Sequence, residues 1–376
     1  MLKDIPLFIT LDRISYESGS QVNGSILLRL HEPIRGYGIK LSFIGEEYVH
    51  FTLIESVTVP KTRRGNDGRT EHFTETERVP KEHQKYRVFY STEQLVATFA
   101  DQYIPPGDYQ YPFSFALGVD IPNSFQYVWK TEGYQNDAII RYNLTAKLVD
   151  KNNEQVARES LKYLTIQNTR IQEQDSVKRI DKSVNVTMNC CKNGGKLRMV
   201  TYFEKDRYYT DEDVWLVCEL DNSQGEVAIK EGYAVLKEEL QVKTGSASTT
   251  VEEQVKGEVV ELRLGKGSRM TGNNAVRLKI SVKPPQKRMH SSVYGELIRC
   301  THSIKMILVL DACCSTSPTS HINVMLFDRP HSADALPTSF SNFDYSHTSS
   351  RPFVFQPVTI NSGSTPINTN YPSMEW

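Results

Sequence analysis

Apolar residues in this chain recur with a period of two over most of its length, and that period constrains the fold more than any other feature. Leu7, Ile9 and Leu11 alternate with Pro6, Phe8 and Thr10; the pattern returns at Val22, Gly24, Ile26, Leu28 and Leu30, at Ile39, Leu41 and Phe43, at Tyr111, Phe113, Phe115 and Leu117, and at Tyr142, Leu144, Ala146 and Leu148. Successive side chains of a strand face opposite ways, so each run reads as a half-buried antiparallel strand. Turn signals separate them: Glu17-Ser18-Gly19, Gly65-Asn66-Asp67-Gly68 and Pro105-Pro106-Gly107-Asp108. The best helical pattern is at 91–100, where Leu95, Val96 and Phe99 also suit a strand.

The second half repeats the style and the layout. Tyr16 leads through a turn to the run from Val22; Tyr208 leads likewise to Val214, Leu216, Cys218 and Leu220. Two copies of one all-β unit predict two immunoglobulin-like sandwiches in tandem, residues 1–168 and 183–329, joined by a polar linker at 169–182. From 330 to 376 the composition turns to Ser, Thr and Pro with few charges, the composition of an irregular tail. Aromatics such as Phe340, Phe353, Phe355 and Tyr371 give that tail a second reading, as a strap laid on the chain's own surface or on a partner.

At this point the residues resemble a known family. Tyr16-x-x-Gly19-x-x-Val22-x-Gly24, then Gly38-Ile39-Lys40-Leu41-Ser42-Phe43-Ile44-Gly45, then Pro106-Gly107-x-Tyr109-x-Tyr111-Pro112-Phe113-Ser114-Phe115, then Ile121-Pro122-x-Ser124-Phe125 occur in the order and spacing of the arrestin-fold superfamily, and resemble α-arrestins most. Asn222-Ser223 and Val293-Tyr294-Gly295 continue the likeness in the second half. The resemblance implies two arrestin-like sandwiches and a short hinge. It also implies a non-catalytic adaptor linking membrane cargo tails to endocytic or endosomal machinery, cytoplasmic and peripheral to the plasma membrane or endosomes. The Pro-Pro-x-Tyr motif by which many α-arrestins recruit ubiquitin ligases is absent from the sequence, so that recruitment is not carried over. Phosphate sensing is not carried over either, since only Lys3 stands near the place of the paired lysines of visual and β-arrestins. A different class of reading makes the chain a structural subunit of a larger assembly, docked through its tail.

Charge and motif searches agree with a binding module. Lys plus Arg, 44, nearly cancel Asp plus Glu, 45, which leaves no global field for nucleic acid. The sequence contains no Gly-x-Ser-x-Gly, phosphate loop or His-Glu-x-x-His, and no enzyme or cofactor is expected. The doublets Cys190-Cys191 and Cys313-Cys314, with His321, lack the Cys-x2-4-Cys spacing of structural zinc, and no metal is expected there. Lys61, Arg63, Arg64 and Arg69 surround a hairpin tip, and Lys283, Lys287 and Arg288 form a second basic loop; both are candidates for an anionic membrane or an acidic partner. Tyr371-Pro372-Ser373-Met374 has the Tyr-x-x-Φ form that clathrin-adaptor medium subunits bind as an added strand, with Tyr371 and Met374 filling pockets.

Overall fold

The computed structural model describes residues 5–64, 70–169, 179–188, 192–205, 207–282, 289–312 and 315–329, together with short strands at 347–348 and 353–355. Within them the chain is all-β. The one helical element among the described residues is a 3-10 turn, Gly272–Asn274.

The first sandwich faces two sheets. One runs Leu7–Leu11, Gln21–Leu30, Gly107–Ala116; the other runs Ser15–Glu17, Ser160–Gln167, Tyr134–Val149, Gly38–Arg64, Thr70–Thr98, with Phe125–Thr131 also on Tyr134–Val149. Alternation decides what meets between them. Ile26, Leu28, Phe43, Phe113, Phe115, Tyr142 and Leu144 are buried, and Phe43 packs its ring against Phe115, Tyr90 and Tyr142 at centroid distances of 4.9, 5.5 and 5.9 Å. Burial of each such ring contributes about 1.5–3 kcal/mol, which sets the register of every strand carrying one.

The second sandwich has Arg179–Met188, Lys192–Phe203 and Val214–Gly225 on one side, with Arg269–Met270 and Val276–Ile280 both paired to Val214–Gly225. Ser248–Lys256, Ile229–Lys243, Ile298–Leu310 and Val293–Tyr294 form the other, with Val260–Leu264 and Thr319–Val324 attached. Its core is mainly aliphatic: Leu197, Met199, Leu216, Leu236, Leu278, Met306 and Leu308.

The repeated tyrosines have the same structural position. Ser15–Glu17 lies parallel to Ser160–Gln167, with Tyr16 opposite Ile166; Tyr208–Tyr209 lies parallel to Leu326–Phe327, with Tyr208 opposite Leu326. Each ring is buried and each hydroxyl donates locally, Tyr16 to Asp12 Oδ1 at 2.5 Å and Tyr208 to the Trp215 carbonyl at 2.9 Å.

The stretch 91–100 is strand as far as Thr98, and a bulge explains its mixed pattern. Ile39 pairs with Ala97 and Lys40 with Leu95, so Val96 is the extra residue and turns into the core. Arg179 to Lys182, polar in composition, are rungs of Arg179–Met188 paired to Lys192–Phe203; an edge strand tolerates such residues because one side faces water. In the tail, His347–Thr348 and Phe353–Phe355 add in parallel to Gly107–Ala116.

Candidate functional site

Two places gather candidate functional side chains: the long hairpin and the joint between the sandwiches. The hairpin Gly38–Arg64 and Thr70–Thr98 stays paired along its length, but Tyr134–Val149 covers it only as far as His50. Beyond Phe51, which stacks on His83 at 5.4 Å, the two strands continue as an arm. Pairing of Val57 with Glu77, Val59 with Glu75 and Lys61 with Phe73 puts those six on one face. That face exposes Val57, Phe73 and Val79, while the other, from Ser56 with Arg78 to Thr62 with His72, is polar apart from Pro60. Pro60 and Pro80 have no amide hydrogen to offer a further strand, which discourages pairing at those positions.

The arm's charge differs from what its first strand suggests. Lys61 Nζ lies 2.6 Å from both Glu75 and Glu77, which hold the ammonium well above its ordinary pKa, and Arg63 stands opposite Glu71. Lys81 pairs with Glu55 at 3.2 Å. The described part of the arm thus mixes both signs. Hairpin register carries this information: Lys61 stands opposite Phe73, so Glu75 and Glu77 on the same face of the facing strand come within its reach. Arg64 is the last rung of its strand; Arg69, the second basic loop with Lys283, Lys287 and Arg288, the cysteine doublets, and Tyr371 with Met374 lie outside the described residues.

The joint is built from residues that sequence motifs marked only indirectly. Glu47 is fully buried in the first sandwich and accepts the Leu297 amide of the second at 3.1 Å; Arg87 lies 3.6 Å from Glu47 and 2.7 Å from Glu296. Burial pushes the Glu47 carboxyl up from its ordinary 4.5, against the opposing pull of the Leu297 amide and of Arg87. Asn123, the unspecified position of Ile121-Pro122-x-Ser124-Phe125, donates to the Ser292 carbonyl at 3.0 Å, and Gln167 donates to the Arg329 carbonyl at 3.0 Å. Apolar packing crosses as well, since Leu240, Val242, Val293, Leu297, Ile298 and Cys300 join the core cluster of the first sandwich. A cleft of about 310 Å³ opens beside these contacts, lined by Asn123, Gln167, Thr210, Phe327 and Arg329.

Ser292, His302 and Glu238 form a hydrogen-bonded chain of the residue types used in acyl transfer: Ser292 Oγ to His302 Nδ1 at 2.9 Å, His302 Nε2 to Glu238 Oε2 at 3.2 Å. All three are at most 3 % exposed, and Ser292 Oγ also accepts the Leu326 amide at 3.1 Å. A nucleophile must meet its substrate, so this chain is a structural tie. The Glu238 carboxylate loses hydration by burial, yet the bonds from His290 and His302 outweigh that and hold its pKa down to about 2.

No curated protein matches the chain. Residues 9–172, the span of the first sandwich, match the family model described as Arrestin (or S-antigen), N-terminal domain, and this match supports an arrestin fold for the chain.

Proposed function

We propose that the chain is a non-catalytic adaptor, closest to α-arrestins, that links membrane cargo to endocytic or endosomal sorting machinery from the cytoplasmic face of the plasma membrane or endosomes. The observation that carries this reading is the arrestin N-terminal match over 9–172. Two further features support it. The arm displays apolar residues with no core beneath them, which suits a protein contact more than a fold requirement. Among the described residues no helix is long and apolar enough to cross a membrane, so attachment would be peripheral, through Lys61, Arg63, Arg64 and Arg69 on the hairpin and Lys283, Lys287 and Arg288 on the second loop.

The alternative, a structural subunit whose tail clamps neighbours, would require His347–Thr348 and Phe353–Phe355 to leave this chain's own sheet. Affinity purification from native cells with mass spectrometry separates the two. Cargo and sorting proteins captured with the parent and lost with Val57→Ser, Phe73→Ser support the adaptor; a salt-resistant stoichiometric complex indifferent to those changes refutes it. The tail motif has its own assay. A peptide of residues 361–376 should bind an adaptor medium subunit, and Tyr371→Ala or Met374→Ala should abolish binding.

A further inference from the structure

A second feature of the joint goes beyond the adaptor reading and stands apart from it. Ile229–Lys243 and Ile298–Leu310 are neighbours, paired so that Glu238 stands opposite His302 and Leu240 opposite Cys300. Cys300 and His302 are two residues apart and so face the same way, inward, beside Glu238. The carboxylate oxygen, the thiol sulfur and the imidazole nitrogen all lie within 4.8 Å of one another, and all three residues are buried. His290 closes the group from the loop, its backbone amide on Glu238 Oε2 at 2.7 Å and its Nδ1 at 3.2 Å from Oε1.

We propose that Glu238, Cys300 and His302, with His290 as fourth donor, form a zinc site at the joint. Ligand atoms on a tetrahedral ion lie about 3.3–3.8 Å apart, a contraction within reach of small side-chain rotations for Glu238, Cys300 and His302, while the His290 ring, now bonded to Glu238 alone of the three, would have to turn further inward. Charge favours a divalent ion. A thiolate and a carboxylate supply two negative charges against two positive, so the loaded site is neutral where a net charge would be costly. Sulfur and imidazole donors favour zinc over magnesium or calcium, which prefer oxygen.

The surrounding bonds suit the role. Ser292 Oγ can donate to His302 Nδ1 or accept from it, so the imidazole can carry its proton on Nδ1 and turn a bare Nε2 to the metal. Zinc then enters as the Cys300 S–H bond breaks and the S–Zn bond forms, with release of one proton to water. The His290 ring packs on Tyr127 and Phe125 of the first sandwich, at 4.2 and 5.9 Å, so an ion held here would fasten the second sandwich against the first.

The test uses the full chain with Cys190, Cys191, Cys313 and Cys314 changed to Ser, which removes every thiol except buried Cys218 and Cys300. Cobalt titration should give one equivalent with thiolate-to-cobalt charge-transfer absorption, displaced by zinc, and zinc should raise the melting temperature. In that background Cys300→Ser should abolish the absorption, and His302→Gln or Glu238→Gln should weaken zinc at least tenfold, with circular dichroism confirming the fold. Absence of the absorption from the background protein overturns the site whatever the variants do, and so does undiminished absorption after Cys300→Ser or, should that variant not fold, after Cys300→Ala.

Discussion

Gly19 and Gly24 show why a short motif can specify a strand pair. Gly19 sits at φ 77°, in the left-handed region that side chains avoid, and turns the chain between Ser15–Glu17 and Gln21–Leu30. Gly24 is helpless to accept a methyl group for another reason: a Cβ there would strike the Thr10 carbonyl and come within 2.5 Å of Phe113 Cζ. The carbonyl belongs to a paired strand and cannot retreat, so Gly24→Ala should cost about 2–3 kcal/mol in urea unfolding. Glu47 gives a second residue-scale expectation. Glu47→Ala removes the acceptor of the buried Leu297 amide and should cost about 1–3 kcal/mol. Its charge works the other way. Below 4.5 the carboxyl is protonated in folded and unfolded chains alike; as pH rises past that value the unfolded chain ionises first, because burial holds the folded pKa higher. The parent should therefore lose stability relative to Glu47→Gln as pH rises from 4.5 towards the higher pKa of the folded chain, a trend that melting curves at matched salt would reveal.

At the scale of elements, the arm is where charge and shape have to be weighed together. Lys61 is held by Glu75 and Glu77 across the hairpin, and we propose that the arm still meets anionic lipid: reversing Lys61, Arg63, Arg64 and Arg69 to Glu should weaken binding to vesicles rich in anionic lipid while barely moving the melting temperature, since exposed pairs add little to stability. Sedimentation with vesicles at low and physiological salt checks this, and equal binding by both proteins would remove the membrane from the arm's role. The strands themselves were legible because burial on one face imposes period two on the sequence, as in Tyr134–Val149, where buried and half-buried residues alternate from Asn136 to Leu148. Val96 was ambiguous because a bulge adds one residue and breaks that period. The joint was hidden for a different reason. Glu238 and Cys300 are far apart in sequence and become neighbours only through cross-strand register, which no local spacing reports. Lys61 lay between: its acids could be found, but only by folding the hairpin in register first.

At the scale of the molecule, the two sandwiches share more than a linker. The second contributes Leu240, Val242, Val293, Leu297, Ile298 and Cys300 to the core cluster of the first, and Glu47, Asn123 and Gln167 each bond to backbone across the joint. We propose a domain boundary within 169–182, where the sequence is polar and carries Arg170 and Lys178 as tryptic sites. These two facts make a joint prediction. Limited trypsin should cut between 169 and 182 before it cuts within either sandwich, because the strands protect their own backbones through paired hydrogen bonds. The nicked halves should nevertheless elute together on gel filtration and part only in denaturant, since separation would expose the shared apolar surface and break the bond of Glu47 to the Leu297 amide and the ion pair of Arg87 with Glu296. Glu47→Ala, Asn123→Ala should hasten their separation. Halves that elute apart without denaturant would show that each core is complete alone and that the shared cluster contributes little to holding them together.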